Sequence, residues 1–179
     1  MKKTKIFFQF IIFIAFLSAC SSIPDDVTPV KSFDLKKYTG TWYEIARMDS
    51  RFEKNLVHVT ATYGLNDDGS ISVKNRGLDT NSNKWSDIEG KARAASDEYS
   101  SMIEVSFFGP FYAGYNVIAL DTVDYSYAMV CGSDKDYLWI LARYPKFSYA
   151  KTTELIAQAK ALGFDTDALV MVPKDGDVE

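Results

Sequence analysis

Gly40-Thr41-Trp42-Tyr43-Glu44-Ile45-Ala46-Arg47 is the stretch that decides the fold. A glycine suited to a tight turn is followed by a tryptophan on a segment whose apolar and polar residues alternate, the period of a strand with one buried face. The same alternation recurs through Val57 to Leu65, Ser70 to Leu78, Lys84 to Ala94, Ser100 to Phe108, Tyr112 to Leu120, Tyr125 to Cys131 and Tyr137 to Arg143. With Thr41 to Met48 this makes eight strands. Turn formers separate them at Asn66 to Gly69, Asp79 to Asn83, Ser96-Asp97, Gly109-Pro110, Asp121 to Asp124 and Gly132 to Asp136. Eight short strands with no helix between them predict an all-β fold, an eight-stranded antiparallel up-and-down barrel with an interior wide enough for one small ligand.

After Pro145 the period changes from two to that of a helix. Ser148 is a suitable N-cap, Leu155, Ile156, Ala159 and Leu162 fall on one helical face, and Gly163 is placed to end the element. This C-terminal helix is expected to pack outside the barrel, followed by a short strand through Leu169 to Val172.

Ahead of the strands, Lys2, Lys3 and Lys5 precede an apolar run from Ile6 to Leu17 interrupted only by Gln9. The run falls short of the ~20 residues that a membrane-spanning helix needs, so residues 1–19 read as a secretory signal. Leu17-Ser18-Ala19-Cys20 resembles a bacterial lipobox. The resemblance implies that Cys20 becomes an acylated N-terminus, and Ser21 after it implies delivery to the outer membrane of a Gram-negative bacterium, facing the periplasm. The other reading is an ordinary signal peptide with a coincidental cysteine. Residues 20–31 are then expected to form a polar, lipidated tether, and 32–179 a single domain.

Removing residues 1–19 takes away three lysines and no acid, which moves the net charge from −4 to −7 on 160 residues. That balance, without a basic stripe, argues against a nucleic-acid partner. With Cys20 acylated, Cys131 has no partner for an internal disulfide. One histidine and one unmodified cysteine do not make a zinc site, so neither metal nor cofactor is expected. His58 lies near Ser50 and Asp49, but nothing around them resembles a nucleophile elbow or an oxyanion loop, and the chain is not read as an enzyme.

Gly40-Thr41-Trp42, Asp124-Tyr125 and the segment Tyr137 to Arg143, in this order, resemble the three motifs of the lipocalin family. From Phe33 to about Arg143 the wording is similar to the bacterial outer-membrane lipocalins, relatives of apolipoprotein D. The resemblance implies a barrel floor built from Gly40, Trp42, Asp124, Tyr125 and Arg143, with the Arg143 guanidinium over the Trp42 ring. If Trp42 marks the floor, up-and-down parity places the mouth at Asp49 to Leu56, Asp79 to Asn83, Gly109 to Phe111 and Gly132 to Asp136. Phe52, Phe108, Phe111 and Tyr112 gather there, with Arg51 and Lys54 beside them, a lip suited to a hydrocarbon tail with an anionic head.

Strict alternation from Trp42 puts Glu44 and Ala46 inside, and from Arg143 it puts Leu141, Trp139 and Tyr137 inside. The expected ligand-contacting set is therefore Ala46, Tyr112, Trp139, Phe111, Phe52 and Arg51, although Trp139 could equally be plain core packing. On the fifth strand either Ile103 and Val105 or Met102 and Glu104 face inward. A buried Glu44 must pair, hydrate or titrate. The expected partners are a fatty acid or lysophospholipid and, through the acyl anchor, the membrane; the aromatic lip also suits a homodimer. The competing reading is an envelope spacer or assembly lipoprotein whose barrel is filled and binds nothing.

Overall fold

In the computed structural model the described residues are 23–173. The signal sequence and Cys20 lie outside them. The eight expected strands form as β1 (Gly40–Met48), β2 (Leu56–Leu65), β3 (Ile71–Asp79), β4 (Lys84–Ala94), β5 (Met102–Phe108), β6 (Phe111–Leu120), β7 (Tyr127–Cys131) and β8 (Leu138–Ala142). Each pairs antiparallel with the next, and β1 pairs with both β2 and β8, so the barrel closes. The lower half of β1 (Gly40 to Tyr43) is hydrogen-bonded to β2. Its upper half (Ala46 to Met48) pairs with β9 (Leu169–Met171), and the His58 amide donates to the Pro173 carbonyl, so the C-terminal segment fills the seam between β1 and β2.

Two cores result. Trp42, Tyr63, Val73, Ile103, Val117, Val130 and Leu141 pack inside the barrel. Ala46, Met129, Ile140, Leu155, Ala159 and Phe164 pack between the wall and the helix α2 (Tyr149–Ala161). Ser148 caps α2 by accepting from the Lys151 amide, and Gly163, at φ +78°, ends it. Leu155 and Ala159 are fully buried, while Ile156 and Leu162 flank the contact. Ile103 and Val105 are the inner residues of β5.

The polar segment expected to be a free tether is bound to the wall from Ile23 onward. Val27 is buried in the cluster under α2 and Ile23 packs against that cluster. Asp26 pairs with Lys135 on the β7–β8 connection (2.5 Å). The Val30 amide donates to the Val117 carbonyl, and Ser101 Oγ donates to the Val30 carbonyl. A backbone group that meets wall partners loses little by leaving water, which is how so polar a stretch stays docked. It then enters α1 (Leu35–Tyr38), capped by the Asp34 carboxylate through the Lys36 and Lys37 amides. This short helix, which the sequence patterning does not reveal, delivers Tyr38 to the base of the barrel.

Candidate functional site: the cup and its floor

The floor assembles around Trp42, which is fully buried. The indole Nε1 donates to the Tyr38 carbonyl (2.8 Å), and the Arg143 guanidinium lies 3.9 Å from the ring centroid. Arg143 also donates from Nη2 to the Lys37 carbonyl (2.5 Å), from Nη1 to the Thr41 carbonyl (3.3 Å) and from Nε to the Tyr125 carbonyl (3.2 Å). One planar cation thus covers an aromatic face and ties three chain segments together. Burial lowers its pKa from the usual value, although nearby tyrosine hydroxyls oppose the shift. Gly40 stands at φ +95° with Arg143 Nη1 only 3.3 Å from where a Cβ would sit, so both backbone conformation and space call for glycine. Tyr125 joins the same unit by accepting a hydrogen bond from the Asp34 amide at its hydroxyl.

Asp124 is exposed and contributes its amide, not its carboxylate. The anion that organises this turn is Asp121, which accepts from Ser126 Oγ (2.5 Å) and from the amides of Val123, Asp124 and Ser126. The Ser126 hydrogen bond is the main cause of its lowered pKa. The turn pattern from Asp121 to Asp124 marked the place but not which of its two carboxylates acts.

Above the floor sits a trio of tyrosines. Tyr115 Oη is 2.7 Å from Tyr38 Oη and accepts from Tyr63 Oη (2.9 Å). The Tyr38 ring lies 4.7 Å from that of Trp42, so the trio roofs the indole. Burial pushes the pKa of all three phenols up, and they remain protonated at neutral pH. A void of about 10 Å³ lies here, lined by the trio with Leu35, Ile71, Ala92, Ile103 and Val105, room for roughly one water.

Above the trio, part of the inner wall stays in contact with solvent. Val73 and Ala92 point inward, so Asn75, two residues from Val73, and Ile88, four residues from Ala92 and directly opposite Asn75, share that face. Ile88 is nevertheless 37% exposed, and Phe107 and Trp139 are only half-buried although both border the inner core. Gly90 makes room for Phe107: a Cβ there would stand 2.6 Å from the Ser106 carbonyl and 2.7 Å from the Phe107 ring. Trp139 stacks on Tyr137 (6.1 Å between centroids) and donates from Nε1 to Glu53 Oε2 (3.1 Å).

A bulge in β1 sets what faces this cup. Opposite β8, Glu44 pairs with Leu141 but Ala46 with Ile140, so β1 spends one extra residue. The inward residues are therefore Trp42, Glu44 and Arg47. Ala46, expected inside from strict alternation, is turned to the outer cluster beneath α2 with Ile45 and Met48. Arg47 is 3% exposed and its Nη1 donates to Glu44 Oε1 (2.7 Å). Its Nη2 donates to the carbonyls of Glu53 (2.8 Å) and Leu56 (3.1 Å). A buried ion pair on the inner wall thus pins the β1–β2 loop across the mouth. Spacing alone hides this pair, because residues three apart on a regular strand face opposite ways.

Alternation along β6 corrects the placement of Tyr112. Ala113 pairs with the inner residue Val105, and Tyr112 is turned outside, its ring 4.2 Å from the Arg93 guanidinium, which is itself paired with Glu104. Phe52, Phe108 and Phe111 stand on the mouth loops as expected and are 66%, 71% and 77% exposed. Arg51 lies over the Phe52 ring (4.8 Å). Ser50 Oγ points to Glu53 and His58 lies against Trp85, so these do not form a catalytic constellation. Among the described residues no cluster of histidine, cysteine and carboxylate suited to a metal occurs, and no helix is long and apolar enough to cross a membrane. The Cys131 thiol is buried, and its pKa is pushed up to about 12, which keeps it in the unreactive thiol form.

A family model described as a lipocalin-like domain matches residues 33–174, the whole barrel with its helix and last strand. The chain belongs to the lipocalin-like family. Among relatives of this lipocalin, outer membrane lipoprotein Blc of Citrobacter freundii is 51% identical over 160 residues, covering 88% of this chain and 90% of its own. Apolipoprotein D of Rattus norvegicus is 33% identical over 135 residues, covering 72% and 68% respectively. The crystal structure of insecticyanin from Manduca sexta superposes with a TM-score of 0.66 over 85% of this chain and 86% of that one. At 23% identity this likeness speaks for the fold alone.

Proposed function

We propose that this lipocalin is an outer-membrane lipoprotein, anchored through Cys20, that holds single-chain amphiphiles such as fatty acids or lysophospholipids in its upper cup. The observation that carries the reading is that Ile88, Phe107 and Trp139 face the interior and are still partly exposed. Apolar wall kept in contact with solvent is available to a hydrocarbon chain, at about 0.8 kcal/mol for each CH₂ removed from water. Arg51 and Lys54 at the rim stand where an anionic head would emerge. Outer membrane lipoprotein Blc, half-identical to this chain, bears the localisation in its name.

The tyrosine trio limits the depth. A tail meets the Tyr38, Tyr63 and Tyr115 hydroxyls before it reaches Trp42, so the floor indole is not part of the pocket. Affinity is expected to rise with chain length while the tail fills the upper cup and then to level off. Titrating fatty acids of increasing length and following tryptophan emission measures this, because only Trp139 of the three tryptophans lines the cup; Trp42 lies in the floor and Trp85 outside against Arg76. Trp139→Leu is expected to leave a folded barrel, abolish the ligand-induced change and shift affinity by about 1 kcal/mol or more through the altered wall area. Flat affinity across chain lengths would sink the proposal.

The small void beneath the trio favours one alternative, a scaffold lipoprotein with a filled barrel. On that reading no fatty acid of any length gives a saturable change in Trp139 emission.

A further inference from the structure

The docked N-terminal segment fixes where an anchor at Cys20 enters. From Asp34 beneath the floor the chain climbs the outer wall past Val30, bound to Val117 and Ser101, to Asp26, bound to Lys135 on the β7–β8 mouth loop. Ile23 follows, packed on the outer cluster. Cys20 precedes Ile23 by three residues in the sequence. An anchor at Cys20 would thus join the chain only three residues before a segment that is docked on the barrel wall.

The mouth itself is apolar where it projects furthest. Phe52 stands on the β1–β2 loop, and Phe108 and Phe111 flank the β5–β6 turn. On a ring of eight strands in sequential order these two connections lie on opposite sides of the opening. The docked segment at Asp26 lies beside a third connection, β7–β8, so the three are not in line and define a plane across the mouth. The mouth loops carry a small excess of acid: Asp49 and Glu53 against Arg51 and Lys54 on one, Asp79 on the next, and Asp134 and Asp136 against Lys135 on another. Attraction to an anionic surface is thus not what this rim provides; burial of aromatic rings is.

We propose that the mouth rim docks on the surface of a phospholipid bilayer, with Phe52, Phe108 and Phe111 set into the interface and the cup opening towards the lipid. The occupant is a zwitterionic phospholipid surface. Such docking lets an amphiphile pass between leaflet and cup without exposing its tail to water. It deepens the function proposed above and shares the anchor at Cys20, but does not require that the cup be filled.

The test uses the full lipidated protein reconstituted into phosphatidylcholine vesicles that carry a nitroxide on the acyl chain. Phe111→Trp reports the rim. Val123→Trp reports the opposite end, since Val123 sits on the β6–β7 floor turn and is 77% exposed. Native tryptophans give the same background in both. The expected result is blue-shifted emission and at least two-fold quenching for Phe111→Trp, little quenching for Val123→Trp, and no change at high salt. Adding Phe52→Asp and Phe108→Asp to Phe111→Trp should remove most of that quenching although the protein stays anchored. Quenching at both ends, at neither, or at Val123→Trp alone overturns the proposal. So does a blue shift of Phe111→Trp that depends on protein concentration and not on lipid, which would assign the rim to a second copy of the chain. Fatty-acid titration of the same samples reads the cup separately, so loss of ligand binding with rim quenching intact counts against the earlier reading alone.

Discussion

Trp42→Ala should lower the stability of the barrel by about 3 to 5 kcal/mol, the range for truncating a fully buried aromatic side chain. The loss has two parts. The indole leaves a cavity beneath Tyr38, and the Arg143 guanidinium, 3.9 Å away, loses the face it lies on. Arg143→Ala should cost less, because some of its hydrogen bonds to the Lys37, Thr41 and Tyr125 carbonyls can be replaced by water at a partly exposed site. In urea denaturation the double variant should lose less than the sum of the single losses, with a coupling of about 0.5 to 2 kcal/mol. Strict additivity would mean that the two groups do not act as one unit.

Arg47 carries the second large effect. Arg47→Met removes a cation that is buried with Glu44 and releases the Glu53 and Leu56 carbonyls it holds. Breaking one side of a buried ion pair costs about 3 to 5 kcal/mol, because the remaining charge stays desolvated. Adding Glu44→Gln should restore a large share of that stability, since the buried charge that faced Arg47 is then gone. It should not restore the mouth loop, whose anchor was Arg47 itself. The double variant is therefore expected to be markedly more stable than Arg47→Met in urea and still to be cut faster than wild type by protease between Asp49 and Asn55. Equal stability of single and double variants would show that the pair is not coupled.

The eight strands, the outer helix and the division of loops between mouth and floor were legible because each rests on a local signal: period-two alternation, turn-forming residues, a cap and a terminating glycine. Up-and-down parity then carried those signals to the opening, while the grouping of Trp42, Tyr125 and Arg143 came from the resemblance to the lipocalin motifs. What alternation cannot reveal is a bulge, which is fixed by pairing with a neighbouring strand. The bulge in β1 turned Ala46 to the cluster under α2 and brought Arg47 inside beside Glu44, whereas Tyr112, placed by its nearness to the mouth, faces outward because its neighbour Ala113 faces in. Composition also misled at the N-terminus, where a polar stretch from Ile23 to Lys31 looks like free linker and is held by wall carbonyls, hydroxyls and Lys135. The tyrosine trio had no signal at all, since Tyr38, Tyr63 and Tyr115 come from α1, β2 and β6 and meet only when the barrel closes.

The floor joins the two ends of the barrel sequence, with Arg143 bound to carbonyls 102 and 106 residues earlier. Closing a loop of that length costs about 4 kcal/mol in chain entropy before any contact rewards it. The lock on Trp42 therefore belongs late in folding, after the sequentially paired hairpins have formed. Variants of Arg143 should accordingly shorten the lifetime of the native barrel by speeding unfolding while leaving the folding rate nearly unchanged, which stopped-flow denaturant jumps would resolve. That bolt acts less as a source of equilibrium stability than as a brake on opening.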